Sequence, residues 1–264
     1  MILGILLNIL GGAITVGLIE AGRKIFSLLN RYKFKQVFGE DVLQGPNYYL
    51  VYVQLGLGTL TNERGHVITH PYIKPGEEAH GSRFSIQRPV SSCEVRAAKY
   101  LSEIIGAQAK QSPMLSSDYD LRGRLDISFV SFGGPLSNYK TRDAISNDGN
   151  QLLVFDNLNF LSKASGRAVL RPEPAFDYGL ILKLHPTQFP KRTWLVCAGR
   201  GEWGTSGAAY YLAHKWKEVY GFAKEKPFAI IVRVRENQDE SAEVVVKVKN
   251  STEAEQYVNS ILEA

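Results

Sequence analysis

The first nineteen residues, MILGILLNILGGAITVGLI, contain no charged side chain. At about 1.5 Å per helical residue the run is roughly 28 Å long, close to the thickness of bilayer hydrocarbon. A helix that is apolar all round has to be covered, by lipid, by other helices or by a core. A cleaved signal peptide wants basic residues ahead of a shorter apolar core and a small-residue cleavage site; here nothing basic precedes the run and the charges follow it. A buried core helix would not explain its place at the terminus beside a basic flank. The run therefore predicts one membrane span, residues 1–22.

Between residues 20 and 40 stand Arg23, Lys24, Arg31, Lys33 and Lys35 against Glu20 and Glu40. Beside a span, that asymmetry predicts that this side stays in the cytoplasm, giving a single-pass protein of the cytoplasmic membrane with its C-terminal domain in the cytosol. Ile25, Phe26, Leu28, Leu29, Tyr32, Phe34 and Phe38 alternate with the cations, as in a helix emerging along a membrane surface. Residues 23–40 are read as this basic juxtamembrane segment. They carry much of the net charge of +5, so the basicity is weak evidence for nucleic-acid binding. Gly4, Gly11, Gly12 and Gly17, with Asn8, suit close helix approach in lipid and hence a homo-oligomer; a plain anchor fits them equally.

Residues 41–264 read as one cytosolic α/β domain. Two cysteines exclude a disulfide scaffold. "NYYLVYVQLGLG" reads as a strand, the polar stretch after it as an excursion, and Ser91 with Glu94 as a capping box opening a helix that Gly106 can end. Next come the strands "RLDISFVSF", "QLLVFDN", "GLILKL" and "TWLVCAG", and a helix from Thr205 to about Tyr220 with Gly221 at its stop. "PFAIIVRVR" and "AEVVVKVK" suggest an edge hairpin, and Thr252 with Glu255 opens a last helix. Short apolar strands alternating with helices predict a Rossmann-like, mostly parallel sheet.

Two strands end in glycine-rich turns, "FVSFGGPLSN" and "LVCAGRGEWGTSGAA". In open α/β sheets ligands sit beyond the carboxyl ends of strands, where glycines let a backbone approach and helix N-termini favour an anion. Gly133, Gly134 and Asn138 in the first turn, and Gly199, Gly201, Gly204, Thr205 and Gly207 in the second, are the candidate ligand-binding residues. Thr205 is the expected N-cap. Tight packing turns are the structural alternative. Asp156, closing "LLVFDN", stands where a dinucleotide fold places an acid on ribose hydroxyls. Lys140 and Arg142 are further candidates for an anion, and Trp203, Tyr210 and Tyr211 for stacking on a base. Of Asp177 and His185, at opposite ends of one strand, His185 is expected to face the crevice. His66, His70 and His80 lack metal-site spacing, so no metal is expected. Cys93 reads as a small buried hydrophobe.

"GRGEWGT" after an apolar strand, with "FGGPLSN" after an earlier one, resembles the nucleotide-binding loops of the LOG and SLOG superfamily, over residues 125–221. The resemblance implies a Rossmann-like fold binding nucleotides or nucleotide-derived signals, in phosphoribohydrolases or in sensors attached to membrane segments of prokaryotic conflict systems. The enzymes of that family carry P-G-G-x-G-T-x-x-E. Gly201, Gly204 and Thr205 match it; Arg200 replaces the Pro, Glu202 the second Gly, and Ala208 the catalytic Glu. The resemblance thus implies binding of a nucleotide-like ligand, with no further cofactor and hydrolysis in doubt.

The expectation is a membrane-anchored sensor or effector that couples such a ligand to helix association, as in antiviral defence, with a protein partner in that system. A membrane-tethered nucleotide hydrolase or transferase, using Asp156, Asp177 or Glu202, is one alternative. A scaffold binding a protein partner is the other.

Overall fold

The computed structural model describes residues 2–44, 47–55, 60–61, 67–68, 90–156 and 158–263, and their side chains from residue 17 onward except at 60–61 and 67–68. Helix α1 (Ile2–Phe38) leads through Gly39 and a 3₁₀ turn, Glu40–Leu43, into strand β1 (Tyr48–Tyr52). A two-rung antiparallel ladder, β2 (Leu60–Thr61) with β3 (Val67–Ile68), precedes α2 (Ser92–Ala109), β4 (Met114–Ser117) and β5 (Ser128–Phe132). Then come α3 (Tyr139–Ser146), β6 (Leu153–Asp156), β7 (Asn159–Ser162), β8 (Asp177–Leu184) and β9 (Trp194–Gly199). The chain finishes with α4 (Glu202–His214), α5 (Trp216–Ala223), β10 (Phe228–Arg235), β11 (Gln238–Val248) and α6 (Ser251–Glu263).

Seven strands make one mixed sheet in the order β11-β10-β8-β9-β5-β1-β4. Strands β4, β1, β5 and β9 are mutually parallel, whereas β8 is antiparallel to both β9 and β10, and β11 is antiparallel to β10. Continuous apolar strands fit burial on both faces. In β9, alternation sends Leu195 and Cys197 to one layer and Trp194, Val196 and Ala198 to the other. The first layer is built by α2, α4, α5 and the end of α1; the second by α3, α6 and β6–β7.

Several local expectations need correction. The strand "LLVFDN" is β6, which pairs antiparallel with β7 in a separate hairpin and not in the main sheet. Its partner follows almost immediately, so closing that loop costs little entropy. The expected helix from Thr205 is two helices, broken at Lys215; Gly201 is the N-cap of α4, Thr205 lies inside the first turn, and Gly221 falls within α5. Helix α2 runs past Gly106 to a left-handed Lys110. Ser91 does stand at its N-cap but makes no side-chain cap bond there. The box at α6 is Asn250 with Glu253: Asn250 Oδ1 accepts the Glu253 N–H at 2.8 Å and Glu253 Oε2 the Lys249 N–H at 2.7 Å.

Helix α1 joins the core by its last two turns. Phe34, Val37 and Phe38 are wholly buried, Phe34 stacking on Phe38 at 4.3 Å and meeting Trp216 edge-on at 5.2 Å. These residues belong to the segment read as basic and juxtamembrane, residues 23–40. Further back, Leu18, Ile19, Ile25, Phe26, Leu28 and Leu29 are all more than half exposed. Among the described residues no helix is long and apolar enough to cross a membrane; most of the apolar N-terminal run, residues 1–16, lies outside the described side chains.

Candidate functional site at the carboxyl edge of the sheet

Strands β1, β5 and β9 end side by side. Beyond β1 the chain returns through α2 on one face, and beyond β5 through α3 on the other, so the gap between β1 and β5 is a topological switch point. Strand β8 runs the opposite way and therefore begins at this edge. Asp177 stands here, and His185 stands at the far edge, the reverse of the expectation. A short apolar strand carries no signal of its direction, which is why the sequence misplaced them.

In the second turn, Asp177 Oδ1 accepts the Gly201 N–H at 3.0 Å and Oδ2 accepts the Gly204 N–H at 2.6 Å. Thr205 Oγ1 accepts the Gly199 N–H at 2.9 Å. A Cβ on Gly204 would overlap the Tyr178 carbonyl, one on Gly199 the Thr205 amide, and one on Gly207 the Val234 side chain. These glycines let α4 lie directly on β8 and β10. Its first N–H groups meet a carboxylate of the same chain, the charge that a helix N-terminus favours.

The first turn is built similarly. Gly133 has φ +85°, and its N–H reaches the Cys197 carbonyl at 3.1 Å, tying the turn to β9. Asn138 is fully buried: its Oδ1 caps α3 by accepting the Lys140 and Thr141 N–H groups, and its Nδ2 donates to the Phe132 carbonyl at 2.7 Å and the Val51 carbonyl at 3.3 Å. Asp118 accepts the next amide, Tyr139 N–H, at 3.0 Å. The candidate cations are also engaged. Arg142 donates to the Pro135 and Leu136 carbonyls, and Lys140 Nζ to the Arg124 carbonyl and Asp143.

The fold thus brings Gly133, Gly134 and Asn138 beside the turn of Gly199, Gly201, Gly204, Thr205 and Gly207. Asp156 is exposed, one residue beyond Phe155, whose ring would lie 3.4 Å from a Cβ on Gly134. The aromatic candidates pack against protein groups: the Arg96 guanidinium lies 4.2 Å from the Trp203 ring centre, Tyr210 stacks on His214 at 4.0 Å, and the Tyr211 hydroxyl reaches Glu218 at 3.4 Å.

Two residues of this edge escaped the sequence reading. Arg200 sits between Gly199 and Gly201; its N–H is held by the Tyr178 carbonyl at 2.9 Å, while its Nε is enclosed and has no hydrogen-bond partner among the described residues. Its signal was an arginine inside a glycine turn at a strand end, which had counted only as a departure from a motif. Glu94, taken for a capping residue, crosses instead to the residue after β1, where Oε2 accepts the Val53 N–H at 2.8 Å. Its Oε1 lies 3.0 Å from where a Cβ on Gly133 would stand. Burial pushes the Glu94 carboxyl up to about 7, against the pull of the Val53 N–H and with a further push from Asp118. Cys93 beside it is buried, and its thiol is raised by that burial.

His66, His70 and His80 lie outside the described residues, and among the described residues no cluster of three or more His, Cys, Asp or Glu side chains could hold a metal. No family model matches the chain, and no curated protein matches it significantly.

Chemically, this edge offers a guanidinium whose Nε has no partner among the described residues, a group suited to a planar or tetrahedral oxyanion. It also offers a carboxyl able to take or give a proton near neutrality.

Proposed function

We propose that the α/β domain recognises an anionic, nucleotide-like molecule at the carboxyl edge of β1, β5 and β9, on a chain whose first helix anchors it to a membrane. One observation carries the ligand reading: Arg200, in the turn from β9 to α4 at the edge where α/β sheets bind ligands, holds an enclosed Nε with no partner among the described residues. The Tyr139, Lys140 and Thr141 N–H groups are already served by Asp118 and Asn138, and the Gly201 and Gly204 N–H groups by Asp177, so the ligand's charge is assigned to Arg200. Asp156, exposed beside the first turn, suits sugar hydroxyls. The Rossmann-like reading is supported by the switch point between β1 and β5. For the anchor, the support is the exposed apolar surface of α1 and the cations Arg23, Lys24 and Arg31 along it. Ligand-dependent association of these helices, in a defence-type response and with a protein partner, is the activity that follows.

A second reading rests on Glu94. A buried carboxyl that titrates near neutrality at a switch point is equipped for general acid or base work, and makes the domain a membrane-tethered nucleotide hydrolase or transferase.

A thermal-shift panel on the full chain in detergent, with mononucleotides, dinucleotide cofactors and cyclic oligonucleotides, followed by product analysis, separates the two. A ligand at a hundred times its dissociation constant adds about 2.7 kcal/mol. A stabilising ligand recovered intact supports the sensor, and a consumed one supports the enzyme. No stabilisation anywhere in the panel rejects the nucleotide-like ligand.

A further inference from the structure

At the opposite, amino edge of the sheet a cavity of about 1050 Å³ opens between the end of α1, the C-terminal end of β8, the start of β9 and the connection from α5 to β10. Lys183 of β8 stands in its wall, only 1% exposed. Its Nζ donates to the Gln36 carbonyl at 2.6 Å and to the Glu225 carbonyl at 2.9 Å. Both acceptors are neutral, and an ammonium has three donors. No carboxylate lies within ion-pair distance of Lys183 among the described residues. Burial pushes its pKa down to about 8, with the more distant Glu225 charge opposing.

The other charges lining the cavity sort into spent and unspent. Arg192 is spent on Asp41 at 3.0 Å and Asp126 at 2.7 Å, and Lys35 on Glu40 at 2.6 Å. His185 is held between the Arg192 and Glu225 carbonyls. Lys191 and Lys226 are exposed on the rim and make no ion pair among the described residues; because Arg192 faces two carboxylates, the lining as a whole sets five cations (Lys35, Lys183, Lys191, Arg192 and Lys226) against four carboxylates (Glu40, Asp41, Asp126 and Glu225). A concave site with a cationic excess and a buried ammonium lacking a counter-charge attracts anions.

We propose that this cavity binds a small polyanion of the phosphate class, carrying two or more negative charges, which supplies the counter-charge to Lys183 and is closed from the rim by Lys191 and Lys226. Gln36 belongs to the last turn of α1, so the polyanion and that helix share Lys183, and occupancy bears on how α1 is held. The site lies on the other edge from Arg200 and stands independently of the function proposed above.

The test is calorimetric titration of the full chain with inorganic pyrophosphate at constant ionic strength and neutral pH. The expected result is a saturable site that persists in the Arg200→Ala background, is weakened there about tenfold or more by the added rim changes Lys191→Ala/Lys226→Ala, and is abolished by Lys183→Met. Should Lys183→Met not fold, the rim variant decides, because both its residues are exposed. Absence of binding at millimolar pyrophosphate, binding undiminished in the rim variant, or equal competition by chloride would each overturn the assignment.

Discussion

At the scale of single residues, the carboxylates of the upper edge do different work because their surroundings differ. Glu94 is buried and favours its neutral form, so between pH 4.5 and about 7 the folded chain binds more protons than the unfolded one, and stability falls as pH rises through that window. Glu94→Gln keeps an acceptor for the Val53 N–H and removes the buried charge. It is expected to raise stability above pH 7 by about 3 kcal/mol and to flatten the dependence, as read from denaturant midpoints at pH 5 and pH 8. An unchanged slope would place the titration elsewhere. Asp177 instead serves two backbone donors at a helix N-terminus, and Asp177→Ala is expected to cost about 2 kcal/mol at neutral pH. That the turns around Gly133 and Gly199 would be tight was legible from their glycines alone. That Asp177 would fill the second was not, because it depends on β8 running backwards, and strand direction is fixed by the sheet as a whole.

At the scale of elements, α1 shows most sharply what charge and hydropathy leave unsaid. Its apolar start is plain in the sequence, but Phe34 and Phe38 look the same as Phe26 when only charge and hydropathy are read. The difference is their neighbour: Trp216 of α5 packs edge-on against Phe34, and nothing described covers Phe26. Phe34→Ala is expected to cost about 3–5 kcal/mol in thermal or chemical unfolding. A chain begun at residue 40 loses the same contacts and is expected to expose Trp216 and Val219, with aggregation visible by light scattering. A truncated chain as stable as the full one would show that α1 is not part of the core. The β10–β11 hairpin was legible from two β-branched runs joined by a polar turn. The β6–β7 hairpin was not, since a four-residue apolar strand is the same pattern whether it enters the main sheet or folds back on its neighbour.

At the scale of the whole molecule, the chain combines a long helix that packs only by its end with a three-layer domain whose two sheet edges differ in chemistry. The upper edge offers Arg200 in the second glycine turn and Glu94 against the first; the lower offers Lys183 at the foot of α1. Liposomes containing anionic lipid are expected to carry the full chain in flotation, and less of it as salt rises, since Arg23, Lys24 and Arg31 add a screened attraction to the apolar one. The measurement that goes to the centre is equilibrium binding of the most stabilising nucleotide to the full chain and to Arg200→Ala, with the unfolding midpoint of each recorded alongside. A charge-assisted contact is worth about 2 kcal/mol, so the variant is expected to bind about thirtyfold more weakly at an unchanged midpoint. Equal affinity in the two proteins would contradict the assignment of the upper edge as the ligand site.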